Sequence, residues 1–293
     1  MKTKYIFGLL IAVTGLLWGV VSSLPDSKLH LYFCDVGQGD AILATLGQTQ
    51  VLIDGGPNNN VLKCLSDNMP FWDRDLELVI STHPELDHLA GLVTVVERYN
   101  VRQIISNSLI GETGTFSKFR QEVIIKKIPV YSPRNGDKIK VGKLVFRVLF
   151  PLEKLGDEIV WKNPSDFKVL GLSAFSGNFN TTAVVTELDF GNFKALLTGD
   201  IGVEEEKEIE PDLELVNVLK VAHHGSKYST SREFLEKLKP SLAVISVGVS
   251  NRYGHPTSEV LDRLKSDGIK VLRTDLSGTI EVVSDGKSWY TAN

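Results

Sequence analysis

The chain has little cysteine and no excess of basic charge. Two of its 293 residues are cysteine, Cys34 and Cys64, too few for a disulfide framework or a cysteine-rich zinc site. Their positions do not reveal whether they pair, and two unpaired, half-buried thiols are expected. Basic residues are not in excess. Lys and Arg total 32 against 36 Asp and Glu, a formal net charge of −4, so the chain as a whole has no electrostatic pull toward nucleic acid. No low-complexity tract and no repeat of fixed period occurs, which excludes disordered linkers and solenoids. What remains is a globular composition, 42% apolar and 23% charged, long enough to bury a large core in one or two domains.

One apolar run stands apart at the start. Lys2 and Lys4 precede an uncharged stretch from Tyr5 to Val21, followed by a polar break with Pro25. The run is short for a membrane span and long for a signal-peptide core, and VVSS is a poor cleavage site. Residues 1–25 are therefore expected to be a membrane anchor or a signal peptide, with the lysines retained in the cytoplasm and residues 26–293 exported.

From Leu29 the pattern is strand-rich. LYFCDV, AILATL and QVLIDGG read as three strands separated by glycines, and LELVIST as a buried strand. Helices are expected over Asn60 to Asp67, from near Leu89, and through FSKFRQEVIIKK. Hairpins are expected about Val141-Gly142 and Phe190-Gly191-Asn192. Pro151 to Asn180 reads as an irregular insertion. In the last third, strands VNVLKVA, SLAVISVG and IKVLRT alternate with helices, the first opened by a Thr230/Glu233 capping box and the second by Thr257, and GTIEVV closes the chain. Two sheets covered by helices, an α/β (α+β) four-layer αββα sandwich, is the architecture this order predicts.

All histidines but His30 read as grouped in strand-end loops. His83 and His88 flank Glu85 and Asp87 in STHPELDHLAGL, directly after an apolar strand. Residues at this spacing are expected to project from a tight loop, His83 and Glu85 one way, Asp87 and His88 another. Two acids and two imidazoles this close call for a cation, and mixed N/O donors suit Zn2+, Mn2+ or Fe. His223 and His224 follow the strand VNVLKVA, His255 lies in RYGHP, and Asp200 ends the strand ALLTGD.

The motif order DVGQGDA, LIDGG, HPELDH, LLTGD, HHGS and YGHP resembles the metallo-β-lactamase superfamily. Within it the chain is most similar to the metallo-β-lactamase-like domain of the ComEC DNA-uptake (competence) proteins. The resemblance runs from Leu29 to the end and implies the four-layer fold and a metal-dependent hydrolase. It implies that Asp87 and His88 hold one ion, with Asp200 bridging and either His223 or His224 completing the set. His83 and Glu85 would face a second ion, and Asp54 would orient a ligand histidine, though an Asx-type turn before Gly55-Gly56 would account for it equally.

Two departures bear on the metal. Glu85 stands where the superfamily has a histidine, a trait of ComEC-like domains. No histidine occurs between His88 and His223, and Ser176 to Thr182 offers only amides and hydroxyls. The expected cofactor is one or two divalent ions, Zn2+ or Mn2+, the oxygen-rich second site leaning to Mn2+ or Mg2+.

Such a centre would activate water, with Asp87, His224 and His255 as the catalytic candidates and His255 or the spare histidine passing a proton to the leaving oxygen. Ser226, Lys227, Thr181 and Thr182 are candidate phosphate contacts, although ordinary loop polarity explains them without a ligand. The expected substrate is DNA or another phosphodiester, with a DNA-uptake machine as partner. Nine basic residues (Lys118, Arg120, Lys126, Lys127, Arg134, Lys138, Lys140, Lys143, Arg147) could track a phosphate backbone or form a solvated face. The acidic run from Val203 to Glu214 argues the other way. Phe71, Trp72 and Trp161 could instead line a small-ligand pocket, as in a phosphorylcholine esterase, lactonase or lactamase. A non-catalytic DNA-capture module is the third alternative. The chain has too few apolar runs to be a DNA channel itself.

Overall fold

The computed structural model describes residues 2–22, 25–156, 158–161 and 175–292. Its centre is two sheets packed face to face. The first has eight strands in the order β17-β16-β1-β2-β3-β5-β7-β8. These are β1 (Leu29–Phe33), β2 (Ile42–Leu46), β3 (Thr49–Ile53), β5 (Leu78–Ser81), β7 (Ile104–Ser106), β8 (Val130–Tyr131), β16 (Ile280–Ser284) and β17 (Trp289–Ala292). The second has seven, in the order β15-β14-β13-β12-β11-β10-β9. They are β9 (Lys138–Val141), β10 (Leu144–Phe150), β11 (Val185–Phe190), β12 (Phe193–Leu197), β13 (Val218–Lys220), β14 (Leu242–Ile245) and β15 (Lys270–Arg273). The short strands β4 (Asp75–Leu76) and β6 (Asn100–Val101) pair with each other.

Strand alternation sends side chains to opposite faces and so builds three apolar layers. Leu31, Phe33, Val51 and Ile80 of the first sheet meet Phe146, Leu188, Ala195 and Val218 of the second between the sheets. The outer face of the first sheet, with Leu43, Leu52 and Val79, is covered by α2 (Asn60–Asn68), α3 (Leu86–Arg98) and α4 (Gly114–Ile125). The outer face of the second, with Leu196, Leu219 and Ala243, is covered by α5 (Val203–Ile209), α6 (Arg232–Leu238) and α7 (Ser258–Ser266). A further short helix, α8 (Thr274–Ser277), precedes β16. This is the predicted αββα sandwich.

Both hairpins and the helix after Thr257 form where expected. Other details differ. The α6 cap is Ser231, whose Oγ accepts from the Phe234 N–H at 3.3 Å. Thr230 instead takes a left-handed φ of 55°. GTIEVV is not the last element, because β17 adds an edge strand beyond it. Asp87 and His88 lie in the first turn of α3 rather than in a loop. Of the expected insertion, 158–161 and 179–182 are 3-10 turns, while 162–174 lies outside the described residues.

Cys34 and Cys64 form a disulfide with their Cα atoms 5.9 Å apart, which corrects the expectation of free thiols. The end of β1 faces outward under α2, so the two buried side chains share one layer of the core. The N-terminal helix α1 (Lys2–Ser22) leaves Tyr5, Phe7, Leu9 and Trp18 exposed, so it is no part of this core. Among the described residues no helix is long and apolar enough to cross a membrane. Ser23 of the candidate cleavage site lies outside them.

Candidate metal centre

Parallel pairing in β3-β5-β7 and in β12-β13-β14-β15 turns the carboxyl ends of these strands toward one edge of the sandwich, the edge where open α/β sheets place their ligand sites. Asp54 follows β3, His83 follows β5, Asp200 follows β12, and His224 follows β13. Glycine lets the pieces approach. A Cβ on Gly91 of α3 would collide with the Gly55 carbonyl, and Gly55 N–H donates to His88 O at 2.7 Å, so the LIDGG loop pins the first turn of α3.

Four side chains converge. Single donor atoms of Asp87, His88, Asp200 and His224 all lie within 4.8 Å of one another. His88 Nε2 is 3.4 Å and His224 Nε2 3.3 Å from Asp200 Oδ2, and His224 Nε2 is 3.4 Å from Asp87 Oδ2. Of the paired histidines, His224 is therefore the one in the donor set. His223 and His224 both take left-handed backbone, φ 48° and 54°, an arrangement that costs of order 1–3 kcal/mol per residue and clusters at functional sites. The tight turn points His224 into the pocket and leaves His223 half-buried at its rim.

The opposite ring nitrogens fix the tautomers. His88 Nδ1 meets Asp54 Oδ2 at 2.8 Å and His224 Nδ1 meets the Ser246 carbonyl at 2.9 Å. Both partners accept, so both Nδ1 atoms carry the proton. The Thr82 hydroxyl donates to Asp54 Oδ2 at 2.7 Å and so must accept from His83 Nδ1 at 2.9 Å. Each of the three Nε2 atoms is buried and has no hydrogen-bond partner among the described residues. Nδ1 protons held by carboxylate, carbonyl or hydroxyl leave Nε2 as the nitrogen that can ligate once it is deprotonated, the arrangement in which histidines bind metal. The residues fit a divalent cation.

Electrostatics agree. Burial disfavours charge on His88 and His224, yet Asp200 and its acidic neighbours override it and lift His88 well above the ordinary histidine value, and His224 to about 10. Burial would push Asp200 up, but His224, His88 and Lys220 hold it well below the usual carboxylate range. The carboxylates thus draw positive charge to this point. Burial, reinforced by His88, keeps His83 neutral. Burial and then Asp87 and Asp200 push Glu85 up. Burial also raises Asp54.

Two central residues escaped the sequence reading. Lys220 and Asp40 are buried and paired with each other, and Lys220 Nζ reaches Asp200 Oδ1 at 3.4 Å. The signal was a lone charge inside the apolar strand VNVLKVA and an acid beside Gly39 in DVGQGDA.

His83 and Glu85 stand outside the four-donor set; Glu85 is the residue before α3. His255 lies at the rim, its ring centroid 5.7 Å from that of His223 and 6.1 Å from the stacked ring of the exposed Tyr253. Thr182 donates to the Phe179 carbonyl at 2.6 Å and Thr181 to that of Asn178 at 2.8 Å. Ser226 Oγ accepts from Tyr228 N–H at 3.3 Å, and the Lys227 ammonium lies 5.1 Å from the Tyr228 ring centre.

Of the basic stretch, Lys118 and Arg120 lie in α4, Lys138 and Lys140 in β9, and Arg147 in β10, with the others in the connections. Arg147 pairs with Glu187 and Glu214, and Lys118 with Glu97. In the acidic run Glu206 is buried, accepting from the Thr230 and Ser231 backbone N–H groups. Trp161 is a core residue packed on Phe116 and Phe119. Phe71 and Trp72 line a cleft of about 430 Å³ with His30 and Tyr32, away from the donor set.

The family model of the metallo-beta-lactamase superfamily matches residues 34–249. The chain belongs to this superfamily. Metallo-β-lactamase folds also align to it in structure. YhfI from Bacillus subtilis superposes with a TM-score of 0.57 at 12% identity over 87% of this chain and 99% of that one. CmlA, a diiron β-hydroxylase from Streptomyces venezuelae, gives 0.52 at 14% over 88% and 54%. Among curated proteins the chain is 29% identical to ComE operon protein 3 of Bacillus subtilis over 87% of its own length and 33% of that protein's. It is 27% identical to recombination protein 2 of Haemophilus influenzae over 85% and 28%. Competence protein ComA of Neisseria gonorrhoeae is 38% identical over 35% and 15%. The chain thus spans a third or less of the length of these relatives. Its fold is that of metal-dependent hydrolases, and its relatives include competence proteins.

Proposed function

We propose that the chain is a metal-dependent phosphodiesterase that cleaves DNA outside the cytoplasm. The observation carrying the metal dependence is the pair of buried Nε2 atoms of His88 and His224, their tautomers locked, beside Asp87 and Asp200. Asp87, His88, Asp200 and His224 hold a divalent cation, Zn2+ or Mn2+, which when bound lowers the pKa of water and offsets charge on a phosphoryl oxygen.

The chain's own residues do the rest. Asp54 and the Ser246 carbonyl keep His88 and His224 in the ligating tautomer. His255, half-buried at the rim and kept neutral by burial and by His223, is placed to exchange a proton with the leaving oxygen. Ser226 and Lys227, the two residues after Gly225, are the proposed contacts for the neighbouring phosphate; the Thr181 and Thr182 hydroxyls are committed to their own turn. Tyr253 offers an exposed ring for a base to stack on.

DNA is favoured over a small ester or lactam because the aromatic residues suited to a small-ligand pocket lie elsewhere, Trp161 in the core and Phe71 and Trp72 in another cleft. The acidic run is also less of an obstacle than its composition suggests, since Glu206 is consumed internally. Exported placement is supported by the Cys34–Cys64 disulfide, a bond that persists in oxidising compartments, and by the exposed apolar side chains of α1, read as the membrane-directing segment. Participation in DNA uptake accords with the competence relatives.

The test is turnover by the metal-loaded protein of single-stranded DNA, duplex DNA and bis-p-nitrophenyl phosphate, against Asp200→Ala. Hydrolysis of all three phosphodiesters, abolished in the variant, is expected. Metal uptake without turnover of any of them rejects the reading.

A further inference from the structure

The Lys220 ammonium is fully buried among three oxygens. It donates to the Gly199 carbonyl at 2.9 Å, pairs with Asp40, and stands 3.4 Å from Asp200 Oδ1. Alternation along β13 puts Lys220 on the same side as Val218, facing the layer between the sheets. A lysine there must be compensated, and the compensation is a cluster of carbonyl and carboxylate oxygens of the kind that binds a hard metal ion.

The arrangement divides Asp200. Its Oδ2 faces His88 and His224, while its Oδ1 faces Lys220. His83 and Glu85 belong to no group of three convergent donors among the described residues, although the His83 ring centroid lies 4.2 Å from that of His88. The hydroxyls of Thr181 and Thr182 are committed to carbonyls of their own turn, and His83 is not among the convergent donors Asp87, His88, Asp200 and His224. A second ion at His83 and Glu85 would have to share the carboxylates already used by the first, with Asp200 Oδ1 engaged by Lys220.

We propose that this chain holds one divalent cation, on Asp87, His88, Asp200 and His224, and that the Lys220 ammonium is the second positive charge of the centre, covalently built in. Lys220 is then a positioning residue that fixes Asp200 and occupies the seat a second cation would take. The proposal rests on the metal-binding part of the reading above, and is independent of the substrate.

The full chain in detergent, stripped by chelation and reloaded with Mn2+, tests it through metal content and electron paramagnetic resonance. One Mn2+ per chain with the hyperfine pattern of an isolated ion is expected, unchanged in His83→Ala. Lys220→Ala, with its three oxygens freed, is expected to rise from one ion to two. Two ions or an exchange-coupled spectrum in the unaltered protein overturns the proposal while leaving a metal-dependent phosphodiesterase standing. No bound Mn2+ overturns both. A single ion in a folded Lys220→Ala protein overturns the role of Lys220. If that variant does not fold by circular dichroism, the unaltered chain and His83→Ala still decide the stoichiometry.

Discussion

Asp54 accepts the Nδ1 proton of His88 at 2.8 Å, from a left-handed backbone position with φ 57° that an aspartate tolerates better than most residues. The same carboxylate takes the Thr82 backbone N–H at 2.8 Å and the Thr82 hydroxyl at 2.7 Å. It is thus held on three sides, and it meets the metal centre through a ligand imidazole. Replacing Asp54 with Asn keeps the shape but weakens the acceptor that holds the tautomer. Metal affinity is expected to fall about 10- to 100-fold, as for other partners of ligand histidines, with calorimetric Mn2+ titration as the measurement.

Metal binding should release protons. In the metal-free protein, burial opposes charge on His224 but Asp200, Asp87 and Asp40 lift its pKa to about 10. His88 is raised in the same sense by Asp200 and Asp54. Both are protonated at neutral pH and must lose that proton to ligate. Their protonation therefore adds stability to the metal-free fold below the ordinary histidine value of about 6.5, and that contribution is lost as pH rises through the raised values. Metal affinity runs oppositely, increasing with pH over the same window. Calorimetry in buffers of different ionisation enthalpy should show proton release near neutrality, smaller once pH exceeds the raised value of His224.

The disulfide closes a loop between residues 30 apart in sequence. On the chain-entropy account a loop of this length contributes about 3–4 kcal/mol. Cys34→Ser with Cys64→Ser should lower the urea midpoint accordingly, and reductant should do the same to the unaltered protein. An unchanged midpoint would show that the bond adds nothing to stability.

Gly91 has no room for a side chain, since its Cβ would meet backbone oxygens of both Gly55 and Asn58. Gly91→Ala should push α3 from the LIDGG loop and displace His88 with it. Overpacking of this kind costs about 1–3 kcal/mol. A loss of Mn2+ affinity alongside the lower melting temperature is expected.

His255 can be separated from the metal ligands by leaving group. DNA leaves as an alkoxide that needs a proton, whereas p-nitrophenolate does not. His255→Ala should slow DNA cleavage by about 10²- to 10⁴-fold, the usual contribution of a general acid, and leave bis-p-nitrophenyl phosphate nearly unaffected. Equal losses on both substrates would remove His255 from proton transfer.

The order of elements was legible along the chain because it is written locally. Alternating apolar residues fixed the strands, glycines fixed the turns, and Thr257 fixed a helix start. The same locality placed Asp54, His83, Asp200 and the double histidine at strand ends, where a parallel sheet exposes its loops. Which side chains meet was decided elsewhere. His223 and His224 are identical as letters, and only two successive left-handed residues after β13 turn one inward. Cys34 and Cys64 became partners because α2 packs over the end of β1. Asp40 and Lys220 are 180 positions apart in sequence, and they meet only because two sheets close on each other and exclude the water that would otherwise have solvated both charges. Local pattern determines where a strand ends, while the direction of a charge at that end depends on the burial imposed by the opposite sheet.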